Sequence, residues 1–253
     1  MKLQFEEELI EGLCINRPNR FLMNCRIGDD EFLCHTPATG RIGLFLPGGR
    51  PVLLSRAKNP ERRTKYTVEA ISLSKPEDPH KEWIGINQAK SNDFIAWMIS
   101  TGQMDRLVKF DKEQSELHRE VKIGDSRLDL RVGNTFIEIK TPLAVIEKKV
   151  PDHVPVHEEK LMAFGAERLI KHVQELTELS MDYRVVMLTV FQYIPDRGVP
   201  KYDGGGIRFE KTDQIWKAIN EGAMNGLEYW EAVLSLDQSG VELVDYYRRD
   251  HDN

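Results

Sequence analysis

The sequence predicts an α+β protein, with a small five-stranded β-barrel over residues 1–87 followed by a mixed sheet covered by helices over 88–253. Three observations support this. Short runs rich in β-branched and aromatic residues, punctuated by Gly, Pro, Asn and Asp, crowd the first third of the chain. The pattern then changes to segments of helical period alternating with strands. Between them, at residues 119–143, lies a strand meander that alternates charged and apolar residues.

In chain order, strands are expected at Arg20–Ile27 and Glu31–His35, flanking the turn Gly28-Asp29-Asp30, then at Pro51–Ala57, Lys65–Leu73 and Glu82–Asn87. Five such strands suggest an oligonucleotide-binding (OB) type of barrel. Ser91-Asn92-Asp93 reads as the cap of a helical run over Phe94–Ile99. Strands follow at His118–Ile123, Arg127–Val132 and Thr135–Thr141. Next come a long helix, roughly Glu158–Leu179, and the apolar strand Arg184–Gln192. Helical stretches are expected at Asp213–Glu221 and Leu227–Leu236.

The net charge of −6 is unevenly spread. Leu13 to Tyr66 holds ten basic and four acidic residues, so that segment carries +6 and the remainder −12. A local basic field can hold a polyanion on an acidic molecule. Arg20, Arg41, Arg62, Arg63 and Lys65 are the candidates for phosphate contacts, with Phe21, Phe32, Phe45 and Tyr66 available to stack on bases. No apolar run approaches a membrane span, the N-terminus lacks a signal-peptide core, and the three cysteines form no C-x-x-C pair. A cytoplasmic location with reduced thiols is expected, with no membrane partner; a homo-oligomer is left open.

In the meander, Gly124-Asp125 and Gly133-Asn134 are two-residue hairpin signals. If both turn, Ile123 pairs with Ser126 and Val132 with Thr135, which sets Glu120 opposite Asp129 and Asp129 opposite Glu138. Lys122, Arg127 and Lys140 form a second row on the same face. Val121, Ile123, Leu128, Leu130, Ile137 and Ile139 take the other face as a core. Ion pairing would set acids opposite bases, whereas this register sets acids opposite acids, which is costly without a shared cation. Mg²⁺ or Mn²⁺ suits such oxygen ligands, and Lys140 is placed to act on an attacking water. The chemistry expected is metal-assisted phosphodiester hydrolysis.

Asp129 followed by Glu138-Ile139-Lys140 resembles the D…(D/E)-X-K signature of the PD-(D/E)XK nuclease superfamily. Arg119-Glu120-Val121, Ser126-Arg127-Leu128-Asp129 and Glu138 through Leu143 are similar to the sugar fermentation stimulation protein A family. So are Asn19 through Leu22, Arg62 through Tyr66, Trp83 through Asn87 followed by Asn92, Lys171-His172, and Val190-Phe191-Gln192. The resemblance implies an OB-like domain and a nuclease-like domain acting on DNA or RNA. It implies Asp129, Glu138 and the Ile139 backbone carbonyl as metal ligands, Lys140 as the catalytic lysine and Glu120 as a further acid. Arg127 joins the nucleic-acid contacts, and Lys122, His172 and Gln192 are candidates to line the site. The alternative is a non-cleaving DNA-binding regulator of sugar (maltose) metabolism on the same scaffold.

Overall fold

The computed structural model describes residues 1–249 except 39, 124–125, 145, 158–160, 163–165, 197–206 and 209–211. Its strands are β1 (Lys2–Gln4), β2 (Ile10–Asn19), β3 (Leu22–Ile27), β4 (Asp30–His35), β5 (Pro51–Arg56), β6 (Tyr66–Ser72) and β7 (Trp83–Gly85). Helix α1 (Lys90–Ser100) follows, then β8 (Leu117–Ile123), β9 (Ser126–Val132), β10 (Thr135–Lys140) and β11 (Leu161–Met162). Next come α2 (Ala166–Leu179), β12 (Arg184–Phe191), β13 (Ile207–Arg208), α3 (Thr212–Met224), β14 (Glu228–Leu236) and β15 (Gly240–Arg248).

Strands β2 to β6 form a five-stranded barrel, in the order β4-β3-β2-β5-β6, closed by the parallel pair His35↔Thr67. The barrel is as expected in kind, but its membership differs. Its first strand, β2, carries Gly12 and Pro18, both of which weaken a strand reading. Gly12 is required by packing, since a Cβ there would stand 2.7 Å from the Arg26 carbonyl oxygen. Strand β7, expected inside the ring, is added outside it on β6.

The second sheet runs β1-β15-β14-β12-β10-β9-β8, with β10, β12 and β14 parallel at its centre. Its edge strand β1 pairs Lys2↔Glu242, so the first residues of the chain belong to this sheet and not to the barrel, contrary to a division at residue 88. Leu227–Leu236, expected as a helix, is the central strand β14, nearly continuously buried. A strand buried on both faces loses the alternation that marks an exposed one. Within Glu158–Leu179 the helix begins only at Ala166, and Leu161–Met162 pairs with β13. Residues 143–144 and 146–157 run along the barrel, where the Gly43 N–H donates to the Leu143 carbonyl and Phe45 bridges Val156. Among the described residues no helix is long and apolar enough to cross a membrane.

Both faces of the central strands are covered. One carries Ile137, Ile139, Val186, Leu188, Val190, Trp230, Ala232 and Leu234, packed with helix α1 (Phe94, Ile95, Met98, Ile99) and with Leu53 and Ala70 of the barrel wall. The other face is divided. At one end Phe136, Met187 and Tyr229 pack with α2 and α3 through Val173, Leu176 and Ala218. At the other, Leu143, Phe191 and Val233 pack on the barrel through Phe45, Val154 and Ile84.

The hairpins β8–β9 and β9–β10 have the expected pairings beside their turns, Ile123↔Ser126 and Val132↔Thr135 respectively. Gly133 has the positive φ of 56° that a two-residue turn of this kind requires. Gly124-Asp125 lies outside the described residues. The single-core face is corrected, however: Leu130, Ile137 and Ile139 join one cluster, whereas Leu128, Val121 and Ile123 join the cluster on the opposite side. The change falls beside Glu120. Its φ of 50° is left-handed, a conformation that costs an L-residue roughly 1–2 kcal/mol, and the ladder skips from Arg119↔Leu130 to Val121↔Leu128. Strand propensity favours Val at an exposed strand position, but a β-branched residue tolerates φ > 0 badly. Glu120→Val is therefore expected to lower the midpoint of thermal unfolding, and a rise in that midpoint would contradict this backbone conformation.

Candidate metal centre

Glu138 and Lys140 sit two residues apart on β10, so both side chains leave the same face. That face is the divided one, and the site occupies the gap between its two apolar ends. Along β10 the sequence runs from Phe136, under the helices, through Glu138 and Lys140 to Leu143, against the barrel. β12 repeats the order with Met187, Thr189 and Phe191, and β14 with Tyr229, Glu231 and Val233. A polar band thus crosses three parallel strands between the helices and the barrel.

Glu138 is 6% exposed. Its Oε1 accepts from Lys140 Nζ at 2.6 Å and has His172 Nε2 at 3.4 Å, while its Oε2 is buried with no hydrogen-bond partner among the described residues. Burial pushes the Glu138 carboxyl above its usual range; Lys140 opposes that, and the Asp129 charge adds to it. Burial, with the Lys140 charge, holds the His172 imidazole below its ordinary value. His172 is therefore a neutral neighbour of Glu138 near pH 7.

Asp129 sits where β9 and β10 part, since their pairing ends at Ile137↔Leu130. Its Oδ2 accepts the Ile139 N–H at 2.7 Å, and its Oδ1 accepts from Asn92 Nδ2 at 2.8 Å. In a strand the N–H and C=O of one residue face the same edge, so the Ile139 carbonyl faces the same opening. Each carboxylate oxygen retains a lone pair after one hydrogen bond. Two carboxylates, one of them with an oxygen unpartnered among the described residues, and one carbonyl make a donor set suited to a hard divalent cation that keeps several waters. Among the described residues no cluster of three or more His, Cys, Asp and Glu is assembled, so the protein side offers two carboxylates and not the expected row of three. The third, Glu120, is exposed and pairs with Arg127 at 3.1 Å.

Asn92 is the residue that sequence reasoning missed as part of the site. Ser91-Asn92-Asp93 does not cap α1: Ala89 occupies the N-cap without a side-chain bond. Instead Asn92 reaches Asp129, Ser91 Oγ meets Thr141 Oγ1 at 2.7 Å, and Asp93 pairs with Arg119. Three polar residues at a helix start signal a cap; read as outward-pointing partners, they would have signalled the site. Gln192 is 1% exposed, with Nε2 bonded to the Asn87 carbonyl and Ser91 Oγ, so it ties the barrel's end to α1 and lines no open surface. Lys122 is exposed on β8.

On the barrel the expected phosphate contacts separate into two kinds. Arg62 is bound internally, with Nε donating to the Thr64 carbonyl and Nη2 to the Tyr66 carbonyl and Thr67 Oγ1. Arg41 is half-buried. Arg63 and Lys65 are exposed, the latter donating to the Pro60 carbonyl, and Arg20 lies over the Phe21 ring at 4.6 Å. Of the four aromatics only Phe21, 45% exposed, is open to a base; Phe45 and Tyr66 are core, and Phe32 packs edge-on against Tyr66. Cys14, Cys25 and Cys34 are free thiols buried in the barrel.

Comparison with known proteins gives the family. Residues 15–86 match the SfsA N-terminal OB domain. A sugar fermentation stimulation protein homolog from Alkaliphilus metalliredigens is 30% identical over 239 residues, 91% of each chain. The chain belongs to the sugar fermentation stimulation protein (SfsA) family. A homolog from Syntrophobacter fumaroxidans is 30% identical over 252 residues, covering 95% of this chain and 85% of the relative. One from Alcanivorax borkumensis is 31% identical over 187 residues, 70% and 72% of the two chains. Pyrococcus furiosus SfsA, solved in complex with Ca²⁺, aligns over 97% of both chains with a TM-score of 0.66 at 19% identity, which shows that the fold is shared.

Two outcomes follow for this SfsA-family chain. Because folding raises the Glu138 pKa, its ionisation removes stability as the pH rises from the unfolded carboxyl range through the folded one. In chelator, Glu138→Gln should therefore melt above wild type at neutral pH, by about 2–4 °C per kcal/mol relieved, and converge with it at acid pH. Arg62→Ala should lose roughly 1–3 kcal/mol through its abandoned carbonyls, whereas Arg63→Ala should melt as wild type. Equal melting of the two barrel variants would contradict the division between them.

Proposed function

We propose that this chain is a divalent-metal-dependent nuclease that hydrolyses phosphodiester bonds of DNA or RNA. The observation that carries the reading is the buried Glu138 Oε2, left without a partner among the described residues, beside Asp129 and two residues from Lys140. A buried carboxylate oxygen without a donor is costly unless something outside the chain satisfies it. Glu138, Asp129 and the Ile139 carbonyl would hold Mg²⁺ or Mn²⁺, and the Ca²⁺ bound by Pyrococcus furiosus SfsA supports a site for hard divalent ions in this fold. Such an ion, when bound, supplies a Lewis acid and a water of lowered pKa.

The chain's own residues do the rest. Lys140, one-third exposed and fixed by Glu138, presents an ammonium to an attacking water or to the charge developing on phosphate. Asn92 and the Ile139 N–H hold Asp129 in place, each donating to one of its oxygens. The apolar ends of the face, under α2 and on the barrel, confine the reacting group to the band. The barrel contributes non-specific affinity through Arg20, Arg63 and Lys65, exposed in the segment matched to an OB domain.

The test is cleavage of labelled single- and double-stranded DNA and RNA by the full chain with Mg²⁺, with Mn²⁺ and with chelator. Cleavage should require the metal and fall at least ~100-fold in Glu138→Ala and Lys140→Ala. Salt-sensitive retention of a polymer without cutting would replace this reading with that of a non-cleaving, DNA-binding regulator.

A further inference from the structure

The polar band continues past Lys140. The pairings Lys140↔Thr189, Thr189↔Glu231 and Glu231↔Tyr247 carry one row from β10 across β12 and β14 to β15. Partners directly opposite share a face, so these four side chains lie on the side of the sheet that holds Glu138. Thr189 is half-buried and Tyr247 is 39% exposed, so the row reaches solvent beyond the reacting group.

A second buried carboxylate stands near the far end. Glu231 is 2% exposed; it accepts the Tyr247 hydroxyl at 2.5 Å and lies 3.1 Å from Arg249 Nε. The Arg249 N–H bonds the Tyr229 carbonyl, which places Arg249 in the neighbouring row, that of Met187 and Glu138. Nε is the inner edge of a guanidinium. With it turned to Glu231, the terminal Nη1 and Nη2 of Arg249 make no hydrogen bond to any described residue, and the side chain is 39% exposed.

Arg184, in the same sheet, shows the contrast. Its Nε and Nη2 grip Glu228 and its Nη1 donates to the Leu107 carbonyl, so its whole fork is used inside the protein. Arg249 is anchored at one edge and open at the other, the arrangement that presents a planar pair of donors to phosphate.

We infer that Arg249, oriented by Glu231 and Tyr247, contacts a backbone phosphate of the nucleic acid on the same sheet face as Glu138. This rests on the nuclease reading for the nature of the polymer. Three strand spacings of ~4.8 Å place Arg249 about 14 Å from Glu138. At ~3.4 Å per nucleotide that is about four steps along a stacked strand, fewer if the strand is stretched. The two contacts thus stand about that far apart, on β10 and just beyond the end of β15.

Binding of a fluorescent oligonucleotide by the full chain in chelator, over a series of salt concentrations, tests this without turnover. Arg249→Gln should weaken binding several-fold and flatten the plot of log K against log salt by about 0.7–0.9, the loss of one phosphate contact. Arg249→Lys, which keeps the charge, should restore the slope. Because Arg249→Gln leaves Glu231 buried opposite a neutral group, the double variant Glu231→Gln/Arg249→Gln guards against misfolding and should show the same loss. Wild-type affinity and slope in the single and double variants would overturn the assignment, as would a wild type that binds no oligonucleotide. If the wild type binds but never cleaves while Arg249→Gln flattens the slope, the nuclease reading falls and this contact stands. If the wild type cleaves and Arg249→Gln binds as wild type, the nuclease reading stands and the contact falls.

Discussion

Glu138 is a carboxylate on a strand whose neighbours are buried on both sides, and much of the surrounding architecture serves to keep it there. Lys140 and His172 meet one of its oxygens, Asp129 lies beside it, and the other oxygen has no partner. Helices α2 and α3 close one end of its face and the barrel closes the other, so the charge sits in a gap that neither cluster fills. A fold selected for stability alone would place an apolar residue in that gap. The acid there, with one oxygen unpartnered among the described residues, is the feature on which the proposed metal site rests.

The barrel and the sheet are not independent beads. The edge strand β1 pairs with β15, Leu143, Pro155 and His157 bond the backbone at Gly43, Leu46 and Leu44, and Gln192 enters the space that a side chain at Gly85 would need. A buried polar chain runs from the barrel to the site. Glu69 bonds Ser55, Asn87 and Lys90; Gln192 bonds Asn87 and Ser91; Ser91 bonds Thr141, next to Lys140. The same helix start delivers Asn92 to Asp129. The orientation of Asp129 thus depends on how α1 docks between barrel and sheet.

Much of this was legible in the chain's order of residues. The pairings Ile123↔Ser126 and Val132↔Thr135 are those the sequence led one to expect, and strand alternation put Glu138 and Lys140 on one face. What misled was local chemistry overridden by context. Gly12 and Pro18 hid β2, although Gly12 is there because a neighbouring carbonyl leaves no room for a Cβ. Leu227–Leu236 passed for a helix because a strand covered on both faces carries no period of two. Arg62 counted as an external contact until its donors were seen to be used by three oxygens of its own turn.

Sequence alone determined the pair Glu138–Lys140 and its hairpin neighbour Asp129, because strand alternation and short-turn register act over a few residues. Only the tertiary structure decided that Glu120 leaves the carboxylates for Arg127, that Asn92 joins Asp129, and that Thr189, Glu231, Tyr247 and Arg249 extend the same face. The parallel registers of β10, β12 and β14 are set by crossover connections and by the packing of two clusters. A helix or a loop can make those crossovers at many registers, and packing of the whole sheet selects one.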